Sequence, residues 1–290
     1  MEILRNLVID GPEGRPLLAD VFFTMDGFGK PAVLFNHGFK GFKDWGIWDL
    51  VAKKFAESGF VFVKFNQGHN GTTANNPMVF NDLEAFGHNT ITRELADLHT
   101  MHQWLVYNSI LPLDLIQPGQ TALMGHSRGG STAILAAAGP TYWQALITWS
   151  AFKDFDERYA SPEYHNWEKQ QVVYIPNART GQKMPQYYEL YQDFDRHRSE
   201  YGLAAACEKL NVPHLIVHGT EDPTVLFNDA IQLKTWNKNA QLYLVPHANH
   251  VYGAAHPYPH AQLPDHAALA VKESVAFLIK ALNLKSLQKK

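Results

Sequence analysis

The chain reads as an α/β protein with a mostly parallel central sheet and helices on both faces, and three observations predict this. Short apolar runs recur along the sequence, and several are unbroken rather than alternating, as strands covered on both faces require. Stretches with helical apolar spacing separate these runs, and that alternation gives a parallel sheet with helical crossovers. One run, Thr121 to Met124, closes on Gly125-His126-Ser127-Arg128-Gly129 and leads into a small-residue stretch suited to a helix.

In chain order, strands are expected at Leu17 to Phe23, Ala32 to Phe35, Phe60 to Phe65, Thr121 to Met124, Ala145 to Trp149, Leu215 to Val217 and Leu242 to Val245. Helices are expected at about 47 to 58, 89 to 107, 129 to 138, 201 to 210, 226 to 236 and 266 to 282. Strand-to-helix loops of such a sheet fall at one edge, where ligands bind. Between Ser150 and Tyr201 about fifty residues break the alternation, against roughly 2 to 6 in an ordinary connection. They are rich in aromatics, including Phe152, Phe155, Tyr159, Tyr164 and Trp167. Within them Gln171 to Ile175, a turn at Pro176 to Gly181, and Gln186 to Leu190 read as a hairpin. The expectation is one domain over residues 1–290, with residues 152–200 inserted as a lid.

Composition narrows the function. With 290 residues, 46% hydrophobic and 18% charged, the chain can bury a large core without dividing into separate domains. A net charge of -3, with Lys and Arg scattered except for the Lys289-Lys290 pair, offers no field for nucleic acid. A single cysteine, Cys207, excludes an internal disulfide and reads as a small buried apolar side chain. No basic and apolar leader opens the sequence and no run of about 18 apolar residues occurs, so a soluble cytoplasmic protein without membrane contact is expected.

The pentapeptide carries the chemistry. A serine on a tight strand-to-helix turn needs glycine two residues to either side, because a Cβ there would strike the neighbouring backbone. Serine also needs an imidazole to take its proton and a carboxylate to fix the imidazole's tautomer, both on later loops at the same sheet edge. Asp222 lies in the loop after Leu215 to Val217, and His250 in the loop after Leu242 to Val245. The order Ser127, Asp222, His250 suits a triad on this type of sheet. Glu221 and His247 are the neighbouring rivals. The backbone N–H groups of Phe39, in Asn36-His37-Gly38-Phe39-Lys40-Gly41, and of Arg128 are the expected oxyanion donors. His256 and His260 flank prolines in a loop, no ligand spacing points to a metal, and no cofactor is expected.

On Asn36-His37-Gly38-Phe39, Gly125-His126-Ser127-Arg128-Gly129, His218-Gly219-Thr220-Glu221-Asp222 and Ala248-Asn249-His250, the chain resembles the α/β-hydrolase superfamily. It looks most like the serine-dependent branch holding bacterial carboxylesterases, cinnamoyl or feruloyl esterases, and the dienelactone hydrolase and prolyl-oligopeptidase relatives. The resemblance implies a cofactor-free fold, an acyl-enzyme mechanism and a small-molecule ester substrate, with acyl-aminopeptidase or dipeptidyl-type activity as the rival. A peptidase would need paired carboxylates for a peptide's ammonium, for which Asp154, Asp156 and Glu157 are the candidates. A non-catalytic binding protein on the same fold is disfavoured, since every part needed for chemistry is present. Relatives usually carry Asp-x-Arg-Gly-His after the strand Phe60 to Phe65. Here Asn66-Gln67-Gly68-His69-Asn70 replaces it, so its polar network must be built differently, and the change is expected to leave catalysis untouched.

Overall fold

A computed structural model describes residues 1–108, 110–140 and 142–284, and the Lys289-Lys290 pair lies outside the described residues. Eight strands form the main sheet: β1 (Glu2–Ile9), β2 (Leu17–Phe23), β3 (Lys30–Asn36), β4 (Val61–Asn66), β5 (Ile116–His126), β6 (Ala145–Trp149), β9 (His214–Gly219) and β10 (Gln241–Val245). A separate antiparallel hairpin consists of β7 (Val172–Pro176) and β8 (Lys183–Tyr187). The order in the main sheet is β1-β2-β4-β3-β5-β6-β9-β10. From β4 to β10 all neighbours are parallel, while β2 runs antiparallel to both β1 and β4.

Consecutive strand residues supply opposite apolar layers, as the unbroken runs require. Leu34, Val63, Leu123 and Ile216 join the layer under the helices Ile91–Tyr107 and Arg128–Ala138. Val33, Phe62, Met124 and Val217 join the layer under Trp48–Glu57 and Asp265–Ala281. Burial in these layers works with the strand preference of the β-branched and aromatic residues involved.

All seven predicted strands form. The eighth, β1, was not predicted, because it lies at the sheet edge and its exposed Arg5 and Asn6 break the apolar run. The helix expected at 201–210 divides into Arg198–Tyr201 and Leu203–Lys209, since Gly202 takes an extended conformation between them. Cys207 is buried as expected, and burial pushes its thiol up to about 12.

A buried ion cluster joins β2, β4 and the loop before helix Trp48–Glu57. Asp20 accepts from Lys43 at 2.7 Å, from Lys64 at 2.8 Å and from Arg5 at 2.7 Å. Lys64 also bonds Asp44 and Asp49, and Arg5 bonds Asp49. Three carboxylates therefore meet three cations, and the cation positions between Asp20, Asp44 and Asp49 are filled by side-chain ammonium and guanidinium groups.

The inserted stretch at 152–200 packs its aromatics into a continuation of the core. Tyr159, Trp167, Tyr191 and Phe194 make mutual ring contacts at centroid distances between 5.4 and 6.4 Å. Its hairpin forms as expected, with β8 starting earlier than the predicted second arm, and Gly181 takes a positive φ of 73° in the turn.

Candidate active site

Four loops leave the C-terminal ends of β3, β5, β9 and β10 and meet at one edge of the sheet. Ser127 follows β5 and opens helix Arg128–Ala138 with φ 54° and ψ -125°, a strained conformation for a residue with a side chain. Its flanking glycines are required. A Cβ on Gly125 would lie 2.2 Å from the carbonyl oxygen of Gly129, and one on Gly129 would lie 2.2 Å from that of His37. The β3 loop also packs close to the serine, since a Cβ on Gly38 would lie 3.0 Å from the Ser127 Cβ.

The structure pairs the neighbouring candidates separately. His250 Nδ1 donates to Asp222 Oδ2 at 2.7 Å, with Asp222 wholly buried and His250 mostly so. His247 and Glu221 instead form their own contact at 2.6 Å, both well exposed to solvent. The other Asp222 oxygen accepts from the backbone N–H groups of Thr224 and Val225 at 2.8 and 2.9 Å. Burial alone would raise the Asp222 carboxyl. Bonds from His218, His250 and the Val225 N–H overcome it and hold the carboxyl far below the usual carboxylate range.

With Nδ1 donating to Asp222, Nε2 is left as the ring's acceptor, and His250 lines both cavities. Ser127 Oγ has no hydrogen-bond partner among the described residues; catalytic contacts of this kind commonly tighten only with substrate present. His126 braces His250, donating from Nε2 to its backbone carbonyl at 2.9 Å. Burial drives the His126 imidazole down to about 3, so it remains neutral.

The two predicted oxyanion donors also reach this edge. Phe39 follows Gly38, and its N–H has no backbone acceptor among the described residues. Arg128 occupies the first position of its helix, where N–H groups lack intrahelical partners. Arg128 also lines the larger cavity, and its Nε bonds Glu94 Oε1 at 2.7 Å in a buried pair. The sequence reading missed Glu94, although it falls on the stripe Ile91, Glu94, Leu98, Met101, Leu105 of the buried face of helix Ile91–Tyr107, which also carries Asp97 and His102.

Two cavities meet at Ser127 and His250. The smaller, about 180 Å³, is lined by Lys40, Trp45, Trp48, His126, Asn177 and Arg179 in addition to the shared residues. The larger, about 360 Å³, lies under the inserted segment against Phe152, Phe155, Tyr159, Glu163, Tyr164 and Ile175. Trp45 and Trp48 thus form part of the smaller cavity's wall. A groove of about 690 Å³ between helices Trp48–Glu57 and Asp265–Ala281 is roomier, but Ser127, Asp222 and His250 take no part in it.

The substituted loop after β4 builds its polar network from neutral amides. Gln67 donates to Asn36 Oδ1 at 2.8 Å, and Asn36 donates onward to the Gly129 carbonyl at 3.1 Å. A neutral amide chain therefore reaches the helix that carries Ser127, so the substitution is not isolated from the site. His256 also has a structural position, accepting from the Gly46 N–H at 2.9 Å and stacking on Trp45.

A family description, the prolyl oligopeptidase family, matches residues 52–283. The chain belongs to the prolyl oligopeptidase family. Its members share the α/β-hydrolase fold seen here, and this prolyl oligopeptidase family protein is a serine-type hydrolase. Among solved structures, Est1E from Butyrivibrio proteoclasticus is similar, at 18% identity over 97% of this chain and 100% of that one, with a TM-score of 0.73. A second structure of Est1E holds ferulic acid and shows 19% identity, a TM-score of 0.72, and coverage of 96% of this chain and 99% of the other. A puromycin-hydrolyzing peptidase from Mycobacterium tuberculosis matches at 17% identity and a TM-score of 0.64, over 97% of this chain and 39% of the larger protein. No curated protein sequence matches this family member. Among its described residues, no helix is long and apolar enough to cross a membrane.

Proposed function

We propose that this prolyl oligopeptidase family protein hydrolyses carboxylic esters through Ser127, His250 and Asp222. The observation that carries the reading is the Asp222–His250 bond beside a strained Ser127, at the junction of two cavities. Ser127 Oγ attacks the ester carbonyl and its proton passes to His250 Nε2, while Asp222 holds the imidazole in that tautomer. The N–H groups of Phe39 and Arg128 stabilise the oxyanion, each such donor being worth about 2.7 to 4 kcal/mol in the transition state. His250 then protonates the departing alkoxide, and water attacks the acyl-Ser127 ester to release the acid.

The larger cavity favours an ester over a peptide reading. Of the candidate ammonium ligands, Asp154 caps the helix Phe155–Tyr159 through the Asp156 N–H, Asp156 is bonded to Arg198, and Glu157 to Lys153. Glu163 is the one carboxylate in the cavity lining, beside Arg158 and Lys40. The aromatic wall suits an aromatic or bulky acyl group, in keeping with the ferulic acid held by Est1E. We therefore read residues 152–200 as a lid over the acyl group.

Purified protein should cleave aryl-acyl and short-chain esters much faster than aminoacyl amides. Ser127→Ala should lower kcat by about 10⁴ to 10⁶ and abolish fluorophosphonate labelling. A preference for aminoacyl amides that Glu163→Gln removes would replace this reading with a peptidase.

A further inference from the structure

The smaller cavity is acid-free. Its lining holds Lys40 and Arg179 and no carboxylate, although the chain carries a net charge of -3. Elsewhere the cations near the sheet are neutralised: Arg5, Lys43 and Lys64 by the aspartate cluster, and Arg128 by Glu94.

Arg179 is held differently. Its guanidinium lies 5.4 Å from the centre of the Phe42 ring and 5.8 Å from that of Phe80, and no carboxylate pairs with it among the described residues. Aromatic faces position a guanidinium without consuming its charge or its in-plane donors. Lys40 spends one of its donors on the Pro176 carbonyl at 3.0 Å. Burial, then repulsion from Arg179, keeps the Lys40 ammonium below its ordinary value, against the opposing attraction of Glu163. Asn177 is buried in the same lining, its Oδ1 accepting from the Arg179 N–H and its Nδ2 without a partner. Arg179, with no carboxylate paired to it among the described residues, and Lys40 thus line a cavity that opens on Ser127, beside the indoles of Trp45 and Trp48. The carboxylate that attracts Lys40, Glu163, lines the other cavity.

We propose that the smaller cavity is a subsite for an anionic group of the substrate, so that the preferred esters carry a carboxylate bound by Arg179 and Lys40. The proposal rests on the reading of Ser127 as nucleophile. The planar fork of arginine matches a carboxylate, and the indoles give apolar surface to the carbon skeleton that links the carboxylate to the ester. The carboxylate belongs either to the acyl part or to the alcohol part, since both parts meet at Ser127.

Three size-matched aryl or alkyl esters separate these cases: one neutral, one with a carboxylate on the acyl chain, and one with a carboxylate on the alcohol. One charged ester should exceed the neutral one in kcat/KM by about tenfold or more, as charge-assisted bonds allow. That advantage should shrink with added salt. In Arg179→Gln the ratio of charged to neutral kcat/KM should fall towards one, and Arg179→Lys should restore part of it. Equal rates for all three esters in the wild-type protein, or a ratio unchanged in Arg179→Gln, would overturn the proposal. Calorimetry of the charged ester with Ser127→Ala separates this from the nucleophile assignment. Binding there should be tighter than for the neutral ester and should weaken when Arg179→Gln is added, whichever residue attacks. Turnover by Ser127→Ala at the wild-type rate would remove the nucleophile reading while leaving that binding comparison decisive for the subsite.

Discussion

His250 and His247 lie in one short loop and face opposite surroundings. His250 meets a buried carboxylate and the cavity, whereas His247 meets an exposed Glu221 and solvent. A surface ion pair contributes about 0 to 1 kcal/mol and has no access to Ser127, so His247→Ala should leave kcat/KM within about twofold. His250→Ala should reduce it by at least about 10³-fold. Steady-state kinetics on one aryl ester compares the two, and the opposite ranking would exchange their roles. At this scale much of the site was legible in the sequence, because Ser127, Asp222 and His250 each follow an apolar strand that fixes their position at the sheet edge. Glu94 and Arg179 were not legible in this way. Glu94 becomes meaningful only when its helix meets the Arg128 side chain, and Arg179 only when the hairpin turn approaches Phe42 and Phe80.

Strands and helices were legible wherever both faces are buried, since such strands have no polar alternation to disguise them. β1 escaped because an edge strand needs no continuous apolar run, and its Arg5 serves the ion cluster. That cluster makes a test of element-level stability. Lys64 sits in the middle of β4 with no exposed surface, and three aspartates depend on it for charge balance. Removing one partner from a buried ionic group typically costs about 3 to 5 kcal/mol, so Lys64→Met should lower the denaturation midpoint accordingly. Chemical denaturation measures this, and a loss under about 1 kcal/mol would show that the remaining cations suffice.

The inserted segment can be tested as a unit. Replacing residues 155–195 by a short glycine-containing linker should reduce discrimination between hydroxycinnamoyl and acetyl esters, because Phe155, Tyr159, Tyr164 and Ile175 are removed from the larger cavity. Fluorophosphonate labelling of the shortened protein would show that Ser127, on the sheet, remains reactive. Undiminished discrimination would assign acyl selection to Phe152 and the sheet edge instead.

Across the whole molecule, buried titratable groups set how stability varies with pH. Burial pushes the imidazoles of His37, His126 and His214 down to about 4, 3 and 3, against an ordinary value of 6.5. Below pH 6.5 the unfolded chain therefore binds more protons than the folded one, and stability falls as pH drops towards 4. Asp97 acts in the opposite direction. Burial raises its carboxyl from 3.8 to about 7, opposed by the Gly68 N–H bond, so the folded protein retains a proton that the unfolded chain has lost. Stability should consequently decline as pH rises from about 4 to about 7 on account of this one group. Thermal unfolding of Asp97→Asn beside the wild type should show the variant gaining between pH 5 and 8, on the order of 2 kcal/mol relative to wild type. A pH-independent difference would mean that Asp97 is ionised throughout.

The inserted segment supplies outer wall to both cavities: Tyr159 and Tyr164 for the larger, and Asn177 and Arg179, from its hairpin turn, for the smaller. The proposed reacting groups come instead from separate loops at the sheet edge. On the proposed reading, one contiguous stretch of chain, joined to the rest at two points, thus contributes to substrate selection without supplying a group to bond cleavage. Exchanging that stretch between related proteins would transfer preferences for both halves of an ester together, as a cassette. A point change in the hairpin turn would alter one half alone.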